Sequence, residues 1–280
     1  MADENPLGSA ADVTLGAYLP TDDSLPLGKS TAAFIHKPYQ QWTAAYWPYS
    51  ILLSLLYMVF VFAGQKVMKN RPAFSLRREL IAWNFGLSLY SALAVYHGLP
   101  EMIQSIRETG LYGSFCVMGN QFNGDSGLWH WYFLWSKVIE LGDTVFLVLR
   151  KRPVIFLHWY HHAIVLIFSF YQYPLGTSSG RWGLCMNVIV HSVMYFYYGL
   201  RAYGCRIPKP VSMCVTSIQI TQMIIGSCIC FAVLYSVTSG ANCDVTVSVA
   251  WFQALMYISF LYLFGKLFYE MYLVKKPKKE

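Results

Sequence analysis

The chain has 280 residues, of which 56% are apolar and only 12% charged, with 21 Tyr and 9 Trp. Ordinary soluble domains carry roughly 25% charged residues, so this composition excludes a soluble globular chain and points to an all-α integral membrane protein with aromatics suited to interfaces. The formal net charge of +7 would by itself admit a nucleic-acid partner, but the basic residues are sorted by side of a membrane, as shown below, and no nucleic acid is expected.

Residues 1–40 are rich in Gly, Pro, Ala, Ser and Asp and read as a poorly ordered lead-in. They lack a basic stretch followed by an apolar core, so no secretory signal is expected there. Seven apolar stretches then follow: residues 41–65, 80–99, 128–149, 154–173, 182–200, 211–238 and 245–272. Each is long enough to cross a bilayer as a helix. They define a seven-helix domain over residues 41–272, followed by a basic tail at 273–280. Residues 100–127 are expected to form the longest loop, and Arg150-Lys151-Arg152-Pro153 a sharp basic turn.

Fifteen Lys and Arg fall on one side of this arrangement, in the loops after the first, third and fifth spans and in the tail. Four fall on the other side: Lys29, Lys37, Arg107 and Arg181. The basic side is therefore cytosolic, the N-terminus lumenal and the C-terminus cytosolic. Arg150 and Lys151 stand at the cytosolic mouth, where they could also meet an anionic substrate. Of the seven cysteines, Cys116 and Cys243 sit in lumenal loops. An oxidising lumen permits a disulfide between them, and two unpaired thiols are the alternative.

Ionisable groups are costly in lipid and mark interiors and functional sites. The third span carries Lys137, Glu140 and Asp143, the fourth His158, His161 and His162, the fifth Asn187, His191, Tyr195 and Tyr198, and the sixth Gln219 and Gln222. At three- and four-residue steps each set shares a helix face. Helical rise puts Asp143 about 10 Å from Arg150, His161 about 12 Å from Pro153, His191 about 15 Å from Arg201 and Gln219 about 14 Å from Pro210. Four helices thus place polar groups in one layer, describing a chamber open to the cytosol and walled off from the lumen. That layer disfavours a seven-helix receptor, whose ligand contacts would face the lumen, and a transporter, which needs polar access from both sides.

Three histidines in five residues allow metal binding, nucleophilic or acid–base catalysis, or proton relay. A di-iron shell of the desaturase kind needs about eight histidines, whereas His36, His97 and His130 lie apart from the cluster. One metal held by His158, His162, His191 and Asp143 is possible in ligand type, and a metal-dependent desaturase or hydroxylase remains the alternative enzyme. A neutral imidazole can instead attack a thioester, with a second imidazole steadying the oxyanion or enolate and Asp143 orienting a ring. No metal is expected on that reading.

Taken together the motifs resemble the ELO family of long-chain fatty acid elongases. Lys137-x-x-Glu140-x-x-Asp143-Thr144, His158-Trp159-Tyr160-His161-His162, Asn187-x-x-x-His191-x-x-Met194-Tyr195-x-Tyr197-Tyr198 and Thr216-x-x-Gln219-x-x-Gln222 occur in the family's order and spacing. Trp159 is similar to the subgroup that elongates saturated and monounsaturated chains. The resemblance implies a 3-oxoacyl-CoA synthase of the endoplasmic reticulum that condenses malonyl-CoA with a long-chain acyl-CoA, without a cofactor. It implies seven helices, six of them forming a barrel around an acyl tunnel closed at the lumenal end, and a Cys116–Cys243 disulfide. Catalysis would fall to His161, with His158, His162, His191 and Asp143. Substrate contacts would come from Lys137, Glu140, Asn187, Tyr195, Tyr198, Gln219, Gln222, Arg150 and Lys151. Lys276 and Lys278 are similar to a lysine-based retrieval signal. Expected partners are the two CoA substrates, the bilayer, other enzymes of the elongation cycle and a second copy of the chain.

Overall fold

Long apolar runs fold as helices because lipid leaves a bare backbone no other hydrogen-bonding solution than a helix or a closed barrel. A computed structural model describes residues 34–274. Most of the expected lead-in and the retrieval-like lysines lie outside the described residues. The helices are α1 (Lys37–Tyr46), α2 (Pro48–Met68), α3 (Arg77–Cys116), α4 (Gly124–Ile139), α5 (Gly142–Leu149), α6 (Phe156–Gln172), α7 (Gly180–Tyr203), α8 (Lys209–Thr238) and α9 (Val247–Phe268). A π-helical turn, Tyr269–Leu273, extends α9. The described residues contain no strand. Four helical segments, α2, α7, α8 and α9 with its π turn, are long and apolar enough to cross a membrane. The protein is an all-α, multi-pass membrane protein.

Three boundaries differ from the sequence expectation. The stretch expected to begin at residue 41 is divided at Trp47, because Pro48 has no N–H to continue α1 and instead starts α2. The loop expected over residues 100–127 is largely helix. There α3 runs through Pro100 to Cys116, broken only at Gly110 (φ 71°, ψ 179°). Its extension buries Met102 and packs Ile106 against Leu184, Cys185 and Val188 of α7, so tertiary packing overrides the proline. The stretch 128–149 is two helices rather than one, with Glu140 and Leu141 between them. There Asp143 N–H donates to the Glu140 carbonyl and Thr144 N–H to that of Leu141, a tightened turn. A Cβ at Gly142 would stand 2.6 Å from the Trp83 ring, so only glycine lets α3 come this close.

Pairwise packing orders the helices. α3 packs on α7 and α4, α7 on α8, α8 on α9, α9 on α6 and α6 on α4, while α2 lies against α5 and α6. One end is closed by the Cys116–Cys243 disulfide, which links positions 127 residues apart. Beside it Asp244 N–H donates to the Cys116 carbonyl (2.7 Å) and Ser178 N–H to the Asp244 carbonyl (3.1 Å). The Arg181 side chain, 1% exposed, binds Ser105 and the Met118 carbonyl and pairs with Glu101 at 3.3 Å. The opposite, basic end is tied by Lys151 Nζ, which donates to the carbonyls of Lys69 (3.0 Å) and Arg71 (3.1 Å). There Arg77 Nε reaches the Ala202 carbonyl at 3.1 Å.

Candidate active site

The polar groups of α4 to α7 form two networks, the second of which takes in two histidines of the box. In the first, Lys137 lies in the last turn of α4 and is 3% exposed. Its ammonium donates to Glu140 Oε1 (2.7 Å) and to Asn187 Oδ1 (2.7 Å) on α7, and lies 4.3 Å from the Phe133 ring centroid. Ser136 Oγ also donates to Glu140 Oε1, at 3.1 Å. The Asn187 amide donates onward to His191 Nε2 at 3.1 Å. A neutral His191 therefore carries its proton on Nδ1, which faces Glu140 Oε1 at 3.7 Å. Both charges of the Lys137–Glu140 pair are buried, and the pair persists because each member has further hydrogen bonds.

The second network centres on Asp143. Trp83 Nε1 of α3 donates to Oδ1 (2.6 Å) and Tyr195 O–H of α7 donates to Oδ2 (2.7 Å). His162 Nε2 stands 3.9 Å from the same Oδ2. Thr144, one residue on, bonds His158 Nε2 at 2.9 Å and Tyr57 O–H of α2 at 2.7 Å. The His191 and Tyr195 rings, 5.3 Å apart edge to face, join the two networks.

The histidine box begins just past Pro153, where α6 starts from an extended Ile155. Its three rings stay together, with His158–His162 centroids 4.5 Å apart and His161–His162 centroids 5.4 Å apart. They do not share one outlook. His158 faces Thr144 and His162 is buried toward Asp143, whereas His161 lines the main cavity. The His161 ring sits 4.9 Å from Phe260 of α9. Among the described residues no three His, Cys, Asp or Glu side chains converge as a metal-holding group.

The cavity runs from His161 toward the disulfide end. Asn187 and Gln222 line it together with His161, as do Val165, Gly183, Met223, Tyr257 and Met256. Apolar walls below a few convergent polar groups are the general form of a ligand site.

Other expected site residues stand apart. Gln219 is turned to Met194, donating to Sδ at 3.1 Å, and Tyr198 is 46% exposed. Arg150 ends α5 and Lys151 pins the loop after α2. Two contributors went unnoticed in the sequence, Trp83 and Tyr57. Both read there as ordinary span aromatics, and no local signal separates them from 21 Tyr and 9 Trp. Gln253, buried on the cavity wall, was legible: it is an amide inside an apolar span, the same signal that marked Gln219 and Gln222.

The profile of the ELO: GNS1/SUR4 family matches residues 42–280. The chain belongs to the ELO family. Similar relatives of this ELO chain include "Very long chain fatty acid elongase 6" of Drosophila melanogaster, 43% identical over 243 residues, covering 86% of this chain and 77% of the relative. "Long chain fatty acid elongase 2" of Caenorhabditis elegans is 42% identical over 233 residues, covering 82% of this chain and 85% of the relative. The Homo sapiens "Very long chain fatty acid elongase 6" is 38% identical over 238 residues, with 85% and 89% covered.

Proposed function

We propose that the chain is the condensing enzyme of fatty acid elongation, joining malonyl-CoA to a long-chain acyl-CoA to give a 3-oxoacyl-CoA two carbons longer, CoA and CO2. The observation that carries the reading is the position of His161. It is the one histidine of its box on the wall of an apolar cavity, and it shares that wall with Asn187 of the Lys137 network.

In the first half-reaction His161 attacks the acyl thioester carbon. A bond forms from a ring nitrogen to the acyl carbon, the C–S bond breaks, and CoA leaves as the thiol after taking the ring proton. In the second, the C–CO2 bond of malonyl-CoA breaks and its electron pair becomes an enolate. The enolate carbon attacks the acyl carbon, the bond from the ring nitrogen to that carbon breaks, and the departing imidazole takes up a proton from water to return to its neutral form. No cofactor is called for, because decarboxylation itself supplies the carbanion. Asn187, which lines the cavity and keeps a second amide N–H beyond the one it gives to His191, can steady a thioester oxygen or enolate, with His191 holding that amide in place. Lys137 polarises the Asn187 amide through its 2.7 Å bond, and Gln222 shares the cavity wall.

The acyl chain then occupies the cavity beyond His161. The pairwise packing of α3, α4, α6, α9, α8 and α7 closes on itself, which supports a six-helix barrel in a seven-span protein. The charge distribution supports a lumenal N-terminus, a cytosolic C-terminus and entry for both CoA substrates from the cytosol, and membership of the ELO family supports the endoplasmic reticulum as the membrane.

Intact-protein mass spectrometry with an acyl-CoA alone tests the mechanism. The expected result is one acyl adduct on the wild type and none on His161→Ala. Condensing activity without an adduct, or an adduct retained in His161→Ala, refutes the covalent step and leaves general-base chemistry.

A further inference from the structure

The end of the cavity away from His161 is chemically unlike a seat for a methyl group. Its far wall carries Gln172, Ser179 and Gln253. Ser179 Oγ donates to Gln253 Oε1 at 3.0 Å, which leaves Gln253 Nε2 without a partner among the described residues although the side chain is 4% exposed. A second compartment adjoins this end and shares Phe133, Ser169, Gln172 and Gly180 with the main wall. Two residues of its wall, His130 and Tyr173, 7% and 5% exposed, carry further unpartnered atoms among the described residues, His130 Nε2 and Tyr173 Oη.

Their chemistry is complementary to one kind of group. His130 Nδ1 faces the Ser126 carbonyl at 2.8 Å, an acceptor only, so Nδ1 carries the proton and Nε2 is a bare acceptor. Tyr173 O–H and the Gln253 amide are donors. An alcohol can give its proton to His130 Nε2 and accept from Tyr173 or Gln253, whereas a methyl group leaves all three unsatisfied. A Cβ added at Gly180 would meet nothing within 4 Å, so bare backbone keeps space open at the wall the two compartments share.

We infer that this end is a hydroxyl-binding subsite and that the enzyme accepts acyl chains carrying a hydroxyl at their far end. The inference rests on the reading that the acyl chain occupies the cavity beyond His161. The reach follows from α6. Ser169 and Tyr173 lie eight and twelve residues past His161, about 12 and 18 Å at the helical rise. An extended chain built from C–C bonds of about 1.5 Å advances roughly 1.25 Å per carbon. The subsite therefore meets an oxygen about ten to fourteen carbons from the thioester.

Purified protein is assayed with malonyl-CoA and either dodecanoyl-CoA or ω-hydroxydodecanoyl-CoA, and the ratio of their kcat/KM values is read. An apolar far end would penalise the unpaired hydroxyl by roughly ten- to a hundred-fold. The subsite predicts a ratio within about threefold of unity, and a fall of about tenfold in that ratio for Tyr173→Phe, which removes one hydroxyl and no bulk. Turnover of dodecanoyl-CoA with a wild-type ratio below about 0.1, or a ratio that Tyr173→Phe does not move, overturns the subsite alone. A wild type that turns over neither substrate, nor any longer acyl-CoA, overturns the condensing reading beneath it.

Discussion

Trp83→Phe isolates the part of the site that was invisible in the sequence. The Asp143 carboxylate is held from both sides, by Trp83 Nε1 at 2.6 Å and Tyr195 O–H at 2.7 Å, with its side chain only 17% exposed. Phenylalanine keeps an aromatic ring against Phe146, whose centroid is 5.6 Å from the indole, and over the bare Gly142 backbone. What disappears is one donor to a buried carboxylate. Leaving such an acceptor unpaired costs about 1–3 kcal/mol. If the clamp matters mainly in the transition state, the loss appears as roughly a five- to 150-fold fall in kcat, at tenfold per 1.36 kcal/mol. KM for the acyl-CoA should hold within about threefold, because Trp83 does not line the cavity. Tyr195→Phe should cost a similar amount, and the double variant less than the sum, since both bonds end on one carboxylate. Steady-state kinetics with labelled malonyl-CoA checks all three. A Trp83→Phe enzyme with kcat within twofold of wild type, or additive losses in the double variant, would refute the idea that Asp143 works as a clamped group.

Lys137→Met should lower thermal stability sharply, by about 3–5 kcal/mol, because it strands the Glu140 carboxylate in a buried site. The Lys137→Met/Glu140→Gln double variant should recover much of that stability yet remain inactive, which differential scanning fluorimetry and the condensation assay together resolve. Cys243→Ser removes the link across 127 residues and should destabilise the protein by about 2–4 kcal/mol. Detergent-solubilised protein should then melt lower, and reductant should have the same effect on the wild type but none on the variant.

The polar layer was legible in the sequence because ionisable residues in lipid are rare enough to be informative. Lys137, Glu140, Asp143, the histidine box, Asn187, His191 and Tyr195 all stand in the two networks or on the cavity wall. Depth matching along four helices worked because an α-helix converts residue number to height at a fixed rise. The same reasoning placed Gln219 with the others, although depth alone does not fix the rotation of a helix about its axis. Gln219 turns to Met194, donating to its Sδ.

Sequence alone determined that the chain is a helical membrane protein with its reactive polar groups in one layer, because lipid punishes bare backbone and stray charge residue by residue. Tertiary structure decided which histidine meets the cavity. His158, His161 and His162 share a helix face by number, but the neighbours that separate their roles come from elsewhere in the chain. Thr144 of α5 bonds His158, Asp143 of α5 stands beside His162, and Phe260 of α9 stands against His161. Those contacts reach as far as His161 to Phe260, and the ones that bring Trp83 and Tyr195 to Asp143 span 60 and 52 residues. Periodicity carries no record of them, because it describes how one helix presents its faces and not which helix it will meet.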